Sequence, residues 1–126
     1  MIDLEQMRQL LCRTYSGLRE RIVAAVDDWI GDDGAFLAFP WMDQLCYLVV
    51  ERLELGDYEQ IDALFQVIED LLAEGDEAVQ TVILTGFLEG LQHQQKVPPK
   101  FWRPLLGPLA QSHCTAMDNF YGISSN

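Results

Sequence analysis

Two histidines and several carboxylates are the residues of this chain whose types could do chemistry. Glu89 and His93 lie four residues apart, the spacing that puts two side chains on one face of a helix. Both are zinc-ligand types, but catalytic zinc sites take three protein ligands, so this pair predicts no metal site. His113 and Cys114 are adjacent, and adjacent helical residues point about 100° apart. Their spacing therefore predicts no nucleophile-base pair.

Paired carboxylates are a second candidate chemistry, with Glu69 and Glu89 as an acid and a base. Such a couple needs two contrasting environments, and the sequence indicates none. The chain also lacks a glycine-rich phosphate loop, an HExxH motif and a CxxC pair. Its cysteines, Cys12, Cys46 and Cys114, are scattered, which is typical of buried apolar residues rather than of a disulfide framework. We therefore predict a protein that is not an enzyme and has no cofactor or metal.

The chain's most unusual feature is a run of acids without cations. Residues 53–95 contain ten Asp and Glu and no Lys or Arg. Surface helices usually pair opposite charges four residues apart, each pair contributing about 0.2–0.5 kcal/mol, and this stretch forgoes such pairs. Its negative potential would accelerate encounter with a basic protein, although solubility alone is an alternative reason for it. The predicted partner-binding residues are Glu59, Asp62, Gln66, Glu69 and Asp70.

Helical periodicity explains why these acids share a face. In residues 57–74 the apolar side chains recur on one side of a helical wheel and the acids fall on the other. Residues 3–30 predict one long helix, or two collinear helices, with a weak point at 16–17. Residues 35–40 are expected to run extended into Pro40. A further helix begins at Trp41, which we expect in the core. Another covers 77–92, where Gly86 and Gly90 either form a track for a closely packed neighbour or are simply tolerated.

Two Gly-Asp dipeptides separate these helices. We expect Gly56 and Gly75 to take the left-handed conformation that ends a helix, and Asp57 and Asp76 to cap the helix that follows. Such short turns place consecutive helices antiparallel. The sequence thus predicts an all-α fold, one domain over residues 1–126, built as a bundle of five to six mostly antiparallel helices.

The C-terminal part contains a proline-punctuated connection and a last helix. Phe101 and Trp102, which lie among prolines and beside Lys100 and Arg103, are either core residues or anchors for a partner. Pro108 suits the first position of a helix. The side chains predicted to face inward from that helix are Leu109, His113, Met117 and Phe120.

The charge balance limits the kinds of partner. Twenty acids against eight bases give a formal net charge of −12, which repels nucleic acid and anionic membranes and favours basic proteins. No apolar run approaches the length of a membrane span, and the N-terminus carries charges where a signal peptide would be apolar. We therefore expect a cytoplasmic protein.

Several segments together resemble a known kind of family. They are LELGD at 53–57, IDALFQVIEDLLAEGDEAVQ at 61–80, GFLEGL at 86–91 and LGPLA at 106–110. Their order and spacing are similar to those of small, helical, largely uncharacterised bacterial domains often encoded near polymorphic toxins. The resemblance covers about residues 15–121, and residues 1–13, which lie outside it, have no assigned role. It implies no catalytic residues, and it implies an immunity protein that binds and neutralises a cognate toxin.

Three functions follow as hypotheses. The first is an immunity protein that binds its toxin, or another basic protein, through the acidic helical surface. The second is a general adaptor or regulatory helical module without a toxin partner. The third is an enzyme, which would require Glu69, Glu89 and His93 to converge on one pocket.

Overall fold

Helices account for most of the residues that the structure, a computed structural model, describes, namely 1–14 and 37–122. In chain order they are α1 (Leu4–Thr14), α2 (Ala38–Glu54), α3 (Ile61–Glu74), α4 (Glu77–Thr81, π-helical Val82–Leu88 and Glu89–His93 in succession) and α5 (Pro108–Phe120). Two short 3-10 turns, Pro99–Phe101 and Arg103–Leu105, connect α4 to α5. The predicted all-α fold class is confirmed. The first predicted helix begins as α1, and its continuation over 15–30 lies outside the described residues.

The core is formed where α2, α3 and α4 meet. Trp41 is fully buried, as predicted, and so is Trp102 from the proline-punctuated connection. Phe65 of α3 and Phe87 of α4 pack edge to face, with ring centroids 6.1 Å apart. α1 packs against α3 and the first turns of α4, and it buries Met7 together with Leu11 one turn later. Residues 1–13 therefore contribute to the core.

Small residues on α4 let α2 approach closely. A Cβ atom added at Gly86 would lie 3.1 Å from Met42 Cγ, and one added at Gly90 would lie 3.0 Å from Cys46 Sγ. Both distances are shorter than ordinary van der Waals contacts. The predicted glycine track is thus the surface on which α2 packs.

The first Gly-Asp turn is only half as predicted. Gly56 has the left-handed conformation, with φ at 70°, and the Gly56 and Asp57 N–H groups donate to Leu53 O and Arg52 O. These bonds form a Schellman motif that ends α2. Asp57, however, does not cap α3, because the chain makes another turn and Gln60 is the N-cap residue. The Asp57 carboxylate instead accepts from Glu59 N and pairs with the guanidinium of Arg52.

At the second Gly-Asp turn the prediction fails for the glycine and holds for the aspartate. The predicted left-handed conformation of Gly75 is wrong, since its φ of −72° and ψ of 154° are extended. A Cβ atom there would lie 2.5 Å from both Leu71 O and Val79 Cγ1, so the glycine is needed for close approach. The flanking backbone pairs with Ile2 from the chain start. Asp76 does cap α4, because its Oδ1 accepts from Val79 N at 2.9 Å.

Two further expectations about helices are wrong. The helix predicted to begin at Trp41 begins at Ala38, so residues 38–40 are helical and not extended. Pro40 is tolerated there because the N–H groups of the first turn have no acceptor within the helix, so a proline in that turn costs no helical hydrogen bond. In α5 the buried residues are Ala110, Cys114 and Asp118, so the inward face is shifted by one residue from the predicted one. Leu109 and Phe120 are exposed, whereas His113 and Met117 are partly buried.

Candidate functional site

The outer side of α3 carries the predicted partner-binding residues. Asp62, Gln66 and Asp70 are exposed and follow one another at four-residue intervals, which spreads them over about 12 Å of helix. Glu59 is exposed in the turn that leads into α3, and Gln66 Nε2 donates to Asp70 Oδ1 at 3.1 Å. We call Glu59, Asp62, Gln66 and Asp70 the acidic face. Within the described ranges, the ion pairs of the chain all involve other acids.

Glu69, the fifth predicted residue, has a structural role. Its carboxylate is partly buried and accepts from Leu109 N at 2.6 Å and from Ala110 N at 3.2 Å, the free N–H groups of the first turn of α5. Gly107 makes room for it, because a Cβ atom there would lie 2.6 Å from the carboxylate. The negative charge also lies at the positive end of the α5 dipole. Glu69 is therefore an N-cap supplied by another helix.

Other acids near the acidic face also stabilise the fold. Asp57 pairs with Arg52 across 2.9 Å, and Asp76 caps α4. The buried carboxylate of Asp118 pairs with Arg103 and accepts from Gln92 Nε2 at 3.3 Å. By contrast, the carboxylates of the acidic face make no described contact with another element. Asp62 lies in the first turn of α3, where the helix dipole favours a negative charge, whereas Asp70 lies beyond that turn and has no such stabilisation.

The three residues of the enzyme hypothesis do not converge. Each of them contacts a different point along α5. Glu69 binds the N–H of Leu109 in the first turn, and Glu89 Oε1 lies 4.0 Å from His113 Nε2 in the middle. The His93 ring contacts Tyr121, which follows the last residue of the helix. Twelve residues separate the first and last of these contacts, about 18 Å along the helix axis. Among the residues that the structure describes, no three His, Cys, Asp or Glu side chains are grouped to hold a metal ion.

The two buried cysteines are held in the thiol form. Burial, with a smaller effect of Asp43, raises the pKa of Cys46 from 9.0 to about 12. Burial also raises the pKa of Cys114 to about 11, with Arg103 opposing the shift and Asp118 reinforcing it. Since the thiolate is the nucleophile, neither side chain suits nucleophilic chemistry at neutral pH.

A second surface feature was predicted only in part, since the sequence left Phe101 and Trp102 as either core residues or anchors for a partner. Phe101 is 45% exposed, whereas its neighbour Trp102 is fully buried, so only Phe101 is available to a partner. It faces a depression that also exposes Leu55 and Tyr58, and a second depression beside it exposes Tyr47 of α2. A helical wheel of α2 could have indicated Tyr47, since Asp43, Tyr47 and Glu51 recur every four residues.

The chain belongs to the family described as Domain of unknown function (DUF7674), which it matches over residues 8–122. This match begins earlier than the predicted 15–121 and includes most of α1. No curated protein and no solved structure matches the chain. Within the described segments, no helix is both long enough and apolar enough to cross a membrane.

Proposed function

We propose that this chain is a non-enzymatic protein-binding module whose acidic face recognises a partner with a basic surface. The observation that carries the proposal is the contrast between neighbouring acids. Glu69, Asp57 and Asp76 each bind a backbone N–H or a cation of the fold, whereas Asp62 and Asp70 are exposed and, in the part of the chain that the structure describes, contact no other element. Clustered like charges oppose helix formation, so a use outside the fold explains their presence best.

The expected contribution of this face is mainly kinetic. A negative surface steers a basic partner into encounter and raises the association rate, and salt screens this effect over a Debye length of about 8 Å at physiological ionic strength. The formal charge of the whole chain, −12, has the same sign as this face and adds to the attraction of a basic partner. Binding should therefore become markedly faster as the ionic strength falls.

In its most specific form, the proposal is that the partner is a toxin which the chain neutralises by covering its active surface. The support is the resemblance of the chain to small, helical, largely uncharacterised bacterial domains often encoded near polymorphic toxins, together with the charge, which complements a basic toxin such as a nuclease. Occlusion needs no catalytic group in the inhibitor, which agrees with the separation of Glu69, Glu89 and His93 along α5.

The test is to co-express the chain with each protein encoded by its neighbouring genes, measuring both co-purification and growth. An immunity protein co-purifies with one product and restores the growth of cells that make it. Co-purification without an effect on growth would support the adaptor hypothesis instead. Failure of every neighbouring product to bind would contradict the toxin-neutralising proposal.

A pair of double variants then tests the surface. D62N/D70N removes two charges from the acidic face, and E5Q/E77Q removes two from exposed positions outside it. Both variants raise the net charge by two, so a general charge effect would slow both equally. We expect only D62N/D70N to slow association, by about threefold to tenfold at low salt.

A further inference from the structure

The two depressions beside α2 form one continuous groove. The first, of about 340 Å³, lies between the exposed side of α2 and residues 90–96, and the second, of about 490 Å³, lies between residues 53–58 and 96–101. Glu54 and Lys96 line both, which makes them contiguous. We call this surface the α2 groove. Its principal lining residues are Asp43, Tyr47, Glu54, Tyr58, Lys96 and Phe101.

The aromatic rings of the α2 groove already bind cations of the chain itself. Lys96 and Lys100 are the only lysines in the sequence. The ammonium of Lys96 lies 5.7 Å from the centroid of the Tyr47 ring, and that of Lys100 lies 5.1 Å from the centroid of the Phe101 ring. Both distances are in the range of a cation–π interaction. The contact of Lys96 with Tyr47 lies within the groove, whereas Lys100 is not among its lining residues. The Tyr47 ring thus presents its face to a positive charge inside the groove.

The carboxylates along α2 add a negative potential to these rings. Asp43 and Glu54 line the first depression, and Lys96 is the one cation among the lining residues that the structure describes. Aromatic faces beside carboxylates favour a guanidinium over an ammonium, because arginine can stack on a ring and donate two parallel hydrogen bonds to a carboxylate. The lining therefore suits arginine better than lysine or an acidic side chain.

We propose that the α2 groove binds an extended, arginine-bearing segment of the partner protein, with Lys96 as an internal competitor for its aromatic and acidic lining. This inference rests on the proposed function, since it assigns to the same basic partner a second point of contact. Tyr58 of the groove and Glu59 of the acidic face are adjacent in the chain, so one partner can reach both.

The dimensions of the groove fit such a segment. Asp43 and Glu54 are eleven residues apart on α2, which corresponds to about 16 Å of helix. An extended chain of about five residues spans that length. Its arginine would lie near Glu54, where the two depressions meet, and apolar neighbours would pack on Leu55, Tyr58 and Phe101.

The experiment uses the full chain and a fluorescein-labelled hexapeptide of alternating arginine and leucine. A matched peptide carries citrulline, a neutral analogue of similar shape, in place of each arginine. Fluorescence anisotropy measures the affinity at about 150 mM salt, where long-range attraction is screened. NMR shifts of the tyrosine and phenylalanine rings locate the bound peptide. We expect the arginine peptide to bind and to shift Tyr47, Tyr58 and Phe101, and the citrulline peptide to bind much more weakly.

Two substitutions in the groove should have opposite effects. E54Q removes an attractive charge and should weaken binding of the arginine peptide by about twofold to fivefold. K96Q removes the competing cation and should tighten it by a similar factor, a result that damage to the fold would not produce. Unfolding in urea monitors the stability of both variants, and D62N/D70N serves as a control that should leave binding of this short peptide unchanged.

The possible outcomes separate this inference from the proposed function. No binding at millimolar peptide, or weaker binding by K96Q, overturns the α2 groove as the arginine site. If the ring signals do not shift and D62N/D70N no longer binds the peptide, the peptide binds the acidic face. That result overturns the inference and leaves the proposed function standing. If the peptide binds in the groove but the natural partner binds D62N/D70N as fast and as tightly as the wild type, only the proposed acidic surface is overturned.

Discussion

Replacing Glu69 by alanine should destabilise the fold by removing the cap of α5. The Glu69 carboxylate is partly buried and accepts from two backbone N–H groups, at 2.6 and 3.2 Å. Loss of an N-cap acceptor and of its charge at the helix dipole costs about 1–2 kcal/mol. For a chain of 126 residues, this corresponds to a fall in the thermal midpoint of about 5 °C. Partner binding should survive, because Glu69 is committed to the fold.

Urea unfolding followed by tryptophan fluorescence measures this loss, since Trp41 and Trp102 are buried in the folded state. D70N is the matched control on the same helix. Asp70 is exposed and accepts a hydrogen bond from Gln66 alone among the described residues, so D70N should change the free energy of unfolding by less than about 0.5 kcal/mol.

Gly107 provides a stricter test of the same contact. An added Cβ atom would lie 2.6 Å from the Glu69 carboxylate and would push it away from α5. G107A should therefore destabilise the wild-type chain by about 1 kcal/mol more than it destabilises E69A, where nothing is left to displace. The intrinsic preference for glycine or alanine at this position is common to both backgrounds and cancels. The assignment of Glu69 as the cap would be refuted if G107A destabilised the wild type and E69A by the same amount. It would also be refuted if E69A were as stable as the wild type.

Four further measurements test the structure. G75A should cost about 2–3 kcal/mol of unfolding free energy in urea, because the added methyl group would lie 2.5 Å from a backbone oxygen; a tolerated alanine would contradict the close approach. D76A should cost about 1 kcal/mol and D57A less than about 0.5, since only Asp76 caps a helix, and equal costs would argue against that distinction. At pH 8 the folded chain should expose almost no thiolate at Cys46 or Cys114, whose pKa values are about 12 and 11, so maleimide labelling of either in the native state would be unexpected. The same raised pKa values favour the folded state fully below about pH 9 and should make stability fall as the pH rises toward 11, as urea midpoints across this range would show.

Much of the fold follows from local patterns in the sequence. Periodicity predicts α3 and α4, and Gly56 and Asp76 have the conformations that their positions favour. Asp57 and Gly75 belong to the same dipeptides, but local chemistry does not decide their roles. An additional turn separates Asp57 from α3, and backbone pairing beside Gly75 involves the start of the chain, far away in sequence. Tertiary contacts of this kind leave no local signal.

The inward face of α5 shows a second limit of local patterns. Hydropathy places Leu109 and Phe120 inside and Asp118 outside, yet Asp118 is buried and the other two are exposed. The reason is the ion pair of Asp118 with Arg103, which lies in a connection whose path periodicity does not predict. A buried carboxylate is tolerated only with such a partner.

The candidate site was predictable in outline but not residue by residue. Spacing along α3 places Glu69 among the surface acids, and only its contact with α5 distinguishes it from Asp62 and Asp70. Phe101 and Trp102 are likewise adjacent and of similar type, and the sequence does not indicate which one is buried. The α2 groove depends on two segments that meet only in the folded chain, so it has no counterpart in a linear pattern.

The central claim is that the acidic face captures a basic partner, and its most direct test is the association rate constant of the co-purified partner measured against salt concentration. We expect D62N/D70N to associate several-fold more slowly than the wild type at about 20 mM salt and to approach the wild-type rate at about 0.5 M, with E5Q/E77Q close to the wild type throughout. Equal rates for the wild type and D62N/D70N at low salt would contradict the claim.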